Sequence, residues 1–168
     1  FNMGNALNDK GELDAAIDSY KQALKLNPDY AEAYNNMGNA LKKQAKLEEA
    51  IEAYNKALTI KPDVAEVYNN MGNALTRQDK LEEAIEAYNK ALAIIPNYAG
   101  AWDNLGLALA RQNKLEEAIE AFNKALAIKP DFAEVYNNMG NALRVQGNLK
   151  EALGAYNKAL TIKPDVAE

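Results

Sequence analysis

Apolar side chains return along this chain at intervals of three and four residues, the spacing that gathers them on one face of a helix. Ala31, Tyr34, Met37, Gly38 and Leu41 make one such stripe, and Leu47, Ala50, Ile51, Tyr54, Ala57 and Leu58 make a second. Polar residues fill the positions between, so the pattern predicts two amphipathic helices separated by a short break. The pair then recurs. Pro28, Pro62, Pro96, Pro130 and Pro164 stand 34 residues apart, and 31–64 matches 65–98 at 26 of 34 positions. A fixed period of that length predicts an all-α array of helix pairs. Its units run 1–30, which lacks its opening residues, then 31–64, 65–98, 99–132 and 133–166, with 167–168 beginning a further one. Phe1 falls inside a helix in this register, so both ends look cut. One helix pair cannot bury both stripes, so the units are expected to stack as a single array.

Residues at the breaks suit this division. Asp29 with Glu32, Asp63 with Glu66 and Asp131 with Glu134 are spaced as capping boxes at the start of the first helix. Gly11, Ala45, Asp79, Asn113 and Gly147 stand where that helix should end in the left-handed conformation. Ala45 is the misfit, at an expected cost of about 1–2 kcal/mol. Glu48 and Glu49 open the second helix and Lys56 and Lys61 lie toward its end, matching the helix dipole, with Glu52 and Lys56 as an i,i+4 pair. Gly38, Gly72, Gly106 and Gly140 recur inside the first helix, where Gly costs about 0.5–1 kcal/mol relative to Ala. A close helix crossing is expected there, with Ala50, Ala84, Ala118 and Ala152 as the facing contacts.

Composition narrows the function. The 168 residues include no Cys and no His. That removes disulfides, thiol nucleophiles and the commonest general base and metal ligand, so neither an enzyme nor a metal or cofactor site is expected. Glu48, Glu49 and Glu52 lie at a helix start, where acids belong without any hydrolytic role. The 24 acids against 19 bases give a net charge of −5, which argues against nucleic acid as partner. No run approaches the roughly 18 apolar residues of a membrane helix, and the first residues lack the features of a secretory signal. A soluble, cytoplasmic protein without membrane insertion is expected.

Tyr34, Met37, Gly38, Leu41, Ala50, Tyr54, Ala57 and Pro62 stand at the spacing of the tetratricopeptide-repeat pattern. The match holds again at Tyr68, Gly72, Ala84, Tyr88, Ala91 and Pro96, at Trp102, Gly106, Ala118, Phe122, Ala125 and Pro130, and at Tyr136, Gly140, Ala152, Tyr156, Ala159 and Pro164. The chain thus resembles tetratricopeptide-repeat proteins over essentially its whole length. Leu41, Leu75, Leu109 and Leu143 depart from the usual Tyr, which touches core packing alone. The resemblance implies an α-solenoid of antiparallel helix pairs wound as a right-handed superhelix. Its first helices would line a concave groove that holds peptides or segments of other proteins, and no catalysis follows from it.

By that analogy the peptide-binding residues are Asn35, Asn36, Asn39 and Lys42, then Asn69, Asn70, Asn73 and Arg77, then Asp103, Asn104, Leu107 and Arg111, then Asn137, Asn138, Asn141 and Arg144. An Asn side chain offers donors and an acceptor, so a column of them can pair with peptide backbone whatever side chains the peptide carries. The alternative is that Asn36, Asn70, Asn104 and Asn138 bond between neighbouring repeats and set the superhelix. Glu32, Glu66 and Glu134 form an acidic rail that already has a capping role. Lys42, Lys43, Arg77, Arg111 and Arg144 form a basic rail, either a solvated face or a surface for acidic segments whose binding weakens with salt. Some members of the family clamp a chaperone's C-terminal carboxylate with two Asn and three cations. This chain keeps Asn39 and Asn70 but has Asn35, Gly100 and Asn104 at the cation positions, so that clamp is not expected.

The fourth unit breaks the pattern with Gly100, Asp103, Leu107 and Ala110, alongside Trp102, the sole tryptophan. A shallow apolar pocket is expected there, lined by Leu107 and Ala110 with Asp103 at its edge, and able to take one apolar ligand side chain. The alternative is a packing adjustment around Trp102. Three functions compete. The first is a protein-interaction scaffold binding an extended or helical peptide. The second is head-to-tail self-association through uncapped ends, since the helix over 149–162 has no capping helix after it. The third is a non-catalytic substrate-binding arm of a larger protein.

Overall fold

The computed structural model describes residues 1–164. The further unit expected at 167–168, and the last residues of the unit 133–166, lie outside the described residues. Those described form ten α-helices and no strand, so the chain is all-α as its periodicity predicts. Two compact units divide them. The first, through Lys80, holds α1 (Asn2–Asp9), α2 (Leu13–Leu26), α3 (Ala31–Lys43), α4 (Leu47–Ile60) and α5 (Ala65–Arg77). The second, from Leu81, holds α6 (Leu81–Ile94), α7 (Ala99–Arg111), α8 (Leu115–Ile128), α9 (Ala133–Gln146) and α10 (Leu149–Ile162).

The breaks have local causes. Asn27, Lys61, Lys129 and Lys163 each precede a proline and are extended, for instance Lys61 at φ −135° and ψ 95°. The proline ring disfavours helical backbone in the residue before it, and so ends the second helix of each repeat. Gly11, Ala45, Asp79, Asn113 and Gly147 all adopt positive φ, as their positions predict. Each ends its helix in a Schellman motif: Lys46 N–H bonds Leu41 O at 3.0 Å while Ala45 N–H bonds Lys42 O at 3.1 Å. Two satisfied carbonyls offset the strain at Ala45.

Three local expectations are corrected. The aspartate caps do not form: α3, α5 and α9 are entered through Tyr30, Val64 and Phe132, with no side-chain capping bond. The residue after each Asp takes the cap position, and Val64 there packs on the core. Glu134 instead folds its carboxylate back on its own N–H, which holds its pKa below the usual range. The mid-helix glycines face aromatic rings and not alanines. A Cβ at Gly38 would stand 2.6 Å from the Tyr54 ring, and one at Gly106 would stand 2.5 Å from the Phe122 ring. Last, the expected Glu52–Lys56 pair is absent, and Lys56 lies over the Tyr34 ring, 5.7 Å from its centre. Its counterpart one repeat on does form the pair, Glu86 to Lys90 at 2.7 Å.

In the first compact unit the core gathers Ile17, Tyr20, Leu41, Tyr54 and Val67 around small Ala40, Ala50 and Ala57. Ala33 and Ala40 are fully buried although they lie off the predicted stripe. The reason is that α3 packs against α2 as well as against α4, so it is covered on two sides. Acid–glutamine bonds add polar links from α2, α6 and α8 to the turn of the repeat after each. Gln44 Nε2 donates to Asp14 Oδ1 at 2.9 Å, and in the second compact unit Gln112 and Gln146 donate to Glu82 and Glu116, each at 2.7 Å.

Candidate functional site

The first helices bring the expected asparagines into contact with one another. Asn36 Nδ2 donates to Asn5 Oδ1 at 3.0 Å, and Asn70 Nδ2 donates to Asn35 Oδ1 at 3.3 Å. In the second compact unit Asn138 Nδ2 donates to Asp103 Oδ1 at 3.0 Å. Each bond ties one first helix to that of the repeat before it, so part of the column's hydrogen-bonding capacity is spent between repeats. Asn35, Asn69 and Asp103 are buried, while Asn36, Asn70, Asn73, Asn104, Asn137 and Asn138 are half-buried and Asn141 is exposed.

A second set of bonds crosses within the repeat. Tyr20 O–H donates to Asn5, Tyr54 to Asn39 and Tyr156 to Asn141, all to the amide oxygen at 2.8–2.9 Å. Burial, aided by the Glu66 charge, pushes the Tyr54 phenol up, so it remains a donor. In the fourth repeat both partners change together. Leu107 stands where Asn39 and Asn141 stand, and Phe122 stands where Tyr54 and Tyr156 stand. A buried Tyr hydroxyl opposite Leu would have no acceptor, and Phe removes the hydroxyl.

An apolar pocket of about 230 Å³ lies at that exchange. Leu107, Ala110 and Arg111 of α7, Leu115 and Phe122 of α8, and Asn138, Asn141, Ala142 and Val145 of α9 line it. Leu107 and Val145 are exposed, at 37% and 59%. The lining includes Leu107 and Ala110 as the sequence predicts, whereas Asp103 is not part of it. Asp103 lies a turn earlier, buried under Asn138. Burial pushes its pKa up, the Asn138 bond pulls it part of the way back, and the Glu134 charge raises it. Trp102 is separate from this pocket. Its Nε1 donates to Pro96 O at 2.9 Å and Lys124 sits over its ring at 4.3 Å, beside another depression that Glu117 and Glu120 line. Leu115, Phe122 and Ala142 are the contributors that sequence reading passed over. The signal was present in the joint change of residues 107 and 122, fifteen apart like each Asn–Tyr pair.

The basic residues are arranged differently. Arg77 Nη1 donates to Lys42 O at 2.6 Å, and Lys43 Nζ donates to Asn8 Oδ1 at 3.0 Å. Lys42 is half-buried, and Arg111 and Arg144 are exposed. Among the described residues no group of three or more His, Cys, Asp or Glu side chains could hold a metal ion. Among the described residues no helix is long and apolar enough to cross a membrane.

The sequence matches, over residues 1–168, the family model described as the cilia and flagella-associated protein 70 C-terminal domain, a tetratricopeptide-repeat family. The chain belongs to that family. Solved tetratricopeptide-repeat structures agree. MamA is 32% identical with a TM-score of 0.89, covering 99% of this chain and 98% of that one. YrrB, described as a TPR protein with an unusual peptide-binding site, is 27% identical with a TM-score of 0.80, covering 98% and 85%. PilF of Pseudomonas aeruginosa is 25% identical with a TM-score of 0.87, covering 95% and 73%. No curated protein matches the chain. As a tetratricopeptide-repeat protein it is an interaction scaffold of the general kind.

Proposed function

We propose that the chain is a non-catalytic scaffold that holds an extended segment of a partner protein, with one apolar side chain of that segment seated in the pocket of the fourth repeat. The observation that carries this is the joint replacement of the Tyr–Asn pair by Phe122 and Leu107, which puts apolar side chains in place of a polar pair at an apolar cavity open to solvent. Asn138 keeps its amide oxygen for a peptide N–H after donating to Asp103, and Asn141 keeps its amide hydrogens for a peptide carbonyl after accepting from Tyr156. The likeness to YrrB supports the reading, since that protein is described as having a peptide-binding site.

Selection from a random decapeptide display library tests it. Recovered peptides should share one large apolar residue and lose about tenfold or more in affinity against Leu107→Asn with Val145→Asn, the worth of burying one such side chain. Peptides without a shared apolar residue, or equal binding to the double variant, would overturn it. A second reading has its own observation. Leu149, Leu153 and Leu160 of α10 are exposed, whereas their counterparts Leu47, Ile51 and Leu58 are half-buried. That stripe fits a helix of a second copy, and mass that rises with concentration in light scattering is the expected result if copies stack there. Constant mass would remove this reading.

A further inference from the structure

Three cations meet in the first compact unit with no carboxylate among them. Lys42 and Lys43 close α3, and Arg77 closes α5. Arg77 reaches back to the Lys42 carbonyl, and Lys43 reaches Asn8. None of the three takes part in an ion pair among the described residues. Burial first, then the charges of Arg77 and Lys43, push the Lys42 pKa down. A helix C-terminus attracts cations, and that attraction accounts for Lys43 and Arg77, whose side chains tie each helix to the one before. It does not account for Lys42. The same position holds Arg144 in the fifth repeat, but also Thr76, bonded to Gly72 O, and Ala110, which lines the apolar pocket. The helices of Thr76 and Ala110 both end in the same Schellman motif with no cation there. Lys42 is therefore a charge that the fold does not need, half-buried where two like charges oppose it.

We propose that Lys42, Lys43 and Arg77 form a receptor for a carboxylate side chain in an acidic segment of the partner protein. An anion between them replaces mutual repulsion by charge-assisted hydrogen bonds, strongest with the guanidinium of Arg77. The site deepens the scaffold reading and rests on it, adding that the bound segment carries Asp or Glu. On a chain of net charge −5 it is a local basic exception, which directs an acidic segment to this spot while the rest of the protein's charge repels it.

The test is an NMR titration of the full chain, observing the Lys Cε signals, with blocked peptides Asp-Glu-Asp-Glu and Asn-Gln-Asn-Gln and with inorganic phosphate. The acidic peptide should shift Lys42 and Lys43 saturably, and the amide peptide should not. Its affinity should fall several-fold between low and physiological salt. Lys42→Thr, the residue its counterpart already carries, with Arg77→Gln should lose fivefold or more while circular dichroism is unchanged. No shift, an equal response to the amide peptide, or unchanged affinity in the double variant would overturn the proposal. Phosphate binding as tightly as the acidic peptide would overturn the peptide source in favour of a free anion. The apolar pocket lies in the other compact unit and has its own selected peptides. Loss of the acidic response alone therefore leaves segment binding standing, while loss of both removes it.

Discussion

Ala45 holds a backbone conformation that its side chain opposes, at φ 61°. Gly11 and Gly147 occupy the same turn without a Cβ, and Asp79 and Asn113 are types that tolerate it. Ala45→Gly should therefore stabilise the protein by about 1 kcal/mol, read from urea unfolding, even though Gly gains entropy in the unfolded chain. An unchanged or lower midpoint would contradict this account of the turn. Asp103 offers a second single-site test. Its pKa is raised by burial, so the folded state favours the proton more than the unfolded state does. The wild type then loses stability as pH rises from the ordinary carboxylate range through the raised value. Asp103→Asn should stabilise at neutral pH, and the gain should shrink in acid where wild-type Asp103 is also neutral. A gain that is constant with pH would place its cause elsewhere. The left-handed positions were legible because the repeat register marks them even where residue type fails, as at Ala45. The caps were not, because Asp63 and Val64 compete for one position and packing decides in favour of Val64.

Between helices, the Phe122–Leu107 pair makes a prediction that neither residue makes alone. Phe122→Tyr should cost about 1–3 kcal/mol by burying an unpaired hydroxyl, and Leu107→Asn should cost little because that position is partly exposed. The double variant recreates the Tyr–Asn pair of the other repeats and should recover most of the loss. A double-mutant cycle with no coupling would show that the pairing is incidental. Gly106→Ala should destabilise by about 1–3 kcal/mol through overpacking on the Phe122 ring, outweighing the roughly 0.5–1 kcal/mol that Ala gains in a helix. A rise in thermal midpoint would mean that the ring yields. The hydrophobic stripes predicted each helix and the face turned to its partner. Ala33 and Ala40 escaped because periodicity finds one stripe, whereas α3 is covered on two sides. Phe122 escaped because an apolar pattern treats Tyr and Phe alike.

The family was legible along the entire chain because 34-residue self-similarity survives substitution at many positions. The site was legible only in part. The family resemblance, together with the positions left over from the apolar stripe, places a column of asparagines on the first helices, but the partner of an amide is chosen by the spacing between helices, which no single helix encodes. Asn36, Asn70 and Asn138 turn out to bond across repeats. The proposed ligand contacts are the amide capacity they leave unused, the apolar hollow beside Leu107 and the cations around Lys42. The central claim is that the hollow accepts an apolar side chain from an extended peptide. Methyl NMR of Leu107 and Val145 tests it most directly, with blocked peptides Gly-Ser-Leu-Ser-Gly and Gly-Ser-Asn-Ser-Gly added to about millimolar concentration, the range of a single weak anchor. The account predicts saturable shifts of both methyl sets with the Leu peptide and none with the Asn peptide. Silence from both peptides, or equal shifts from the two, would contradict it.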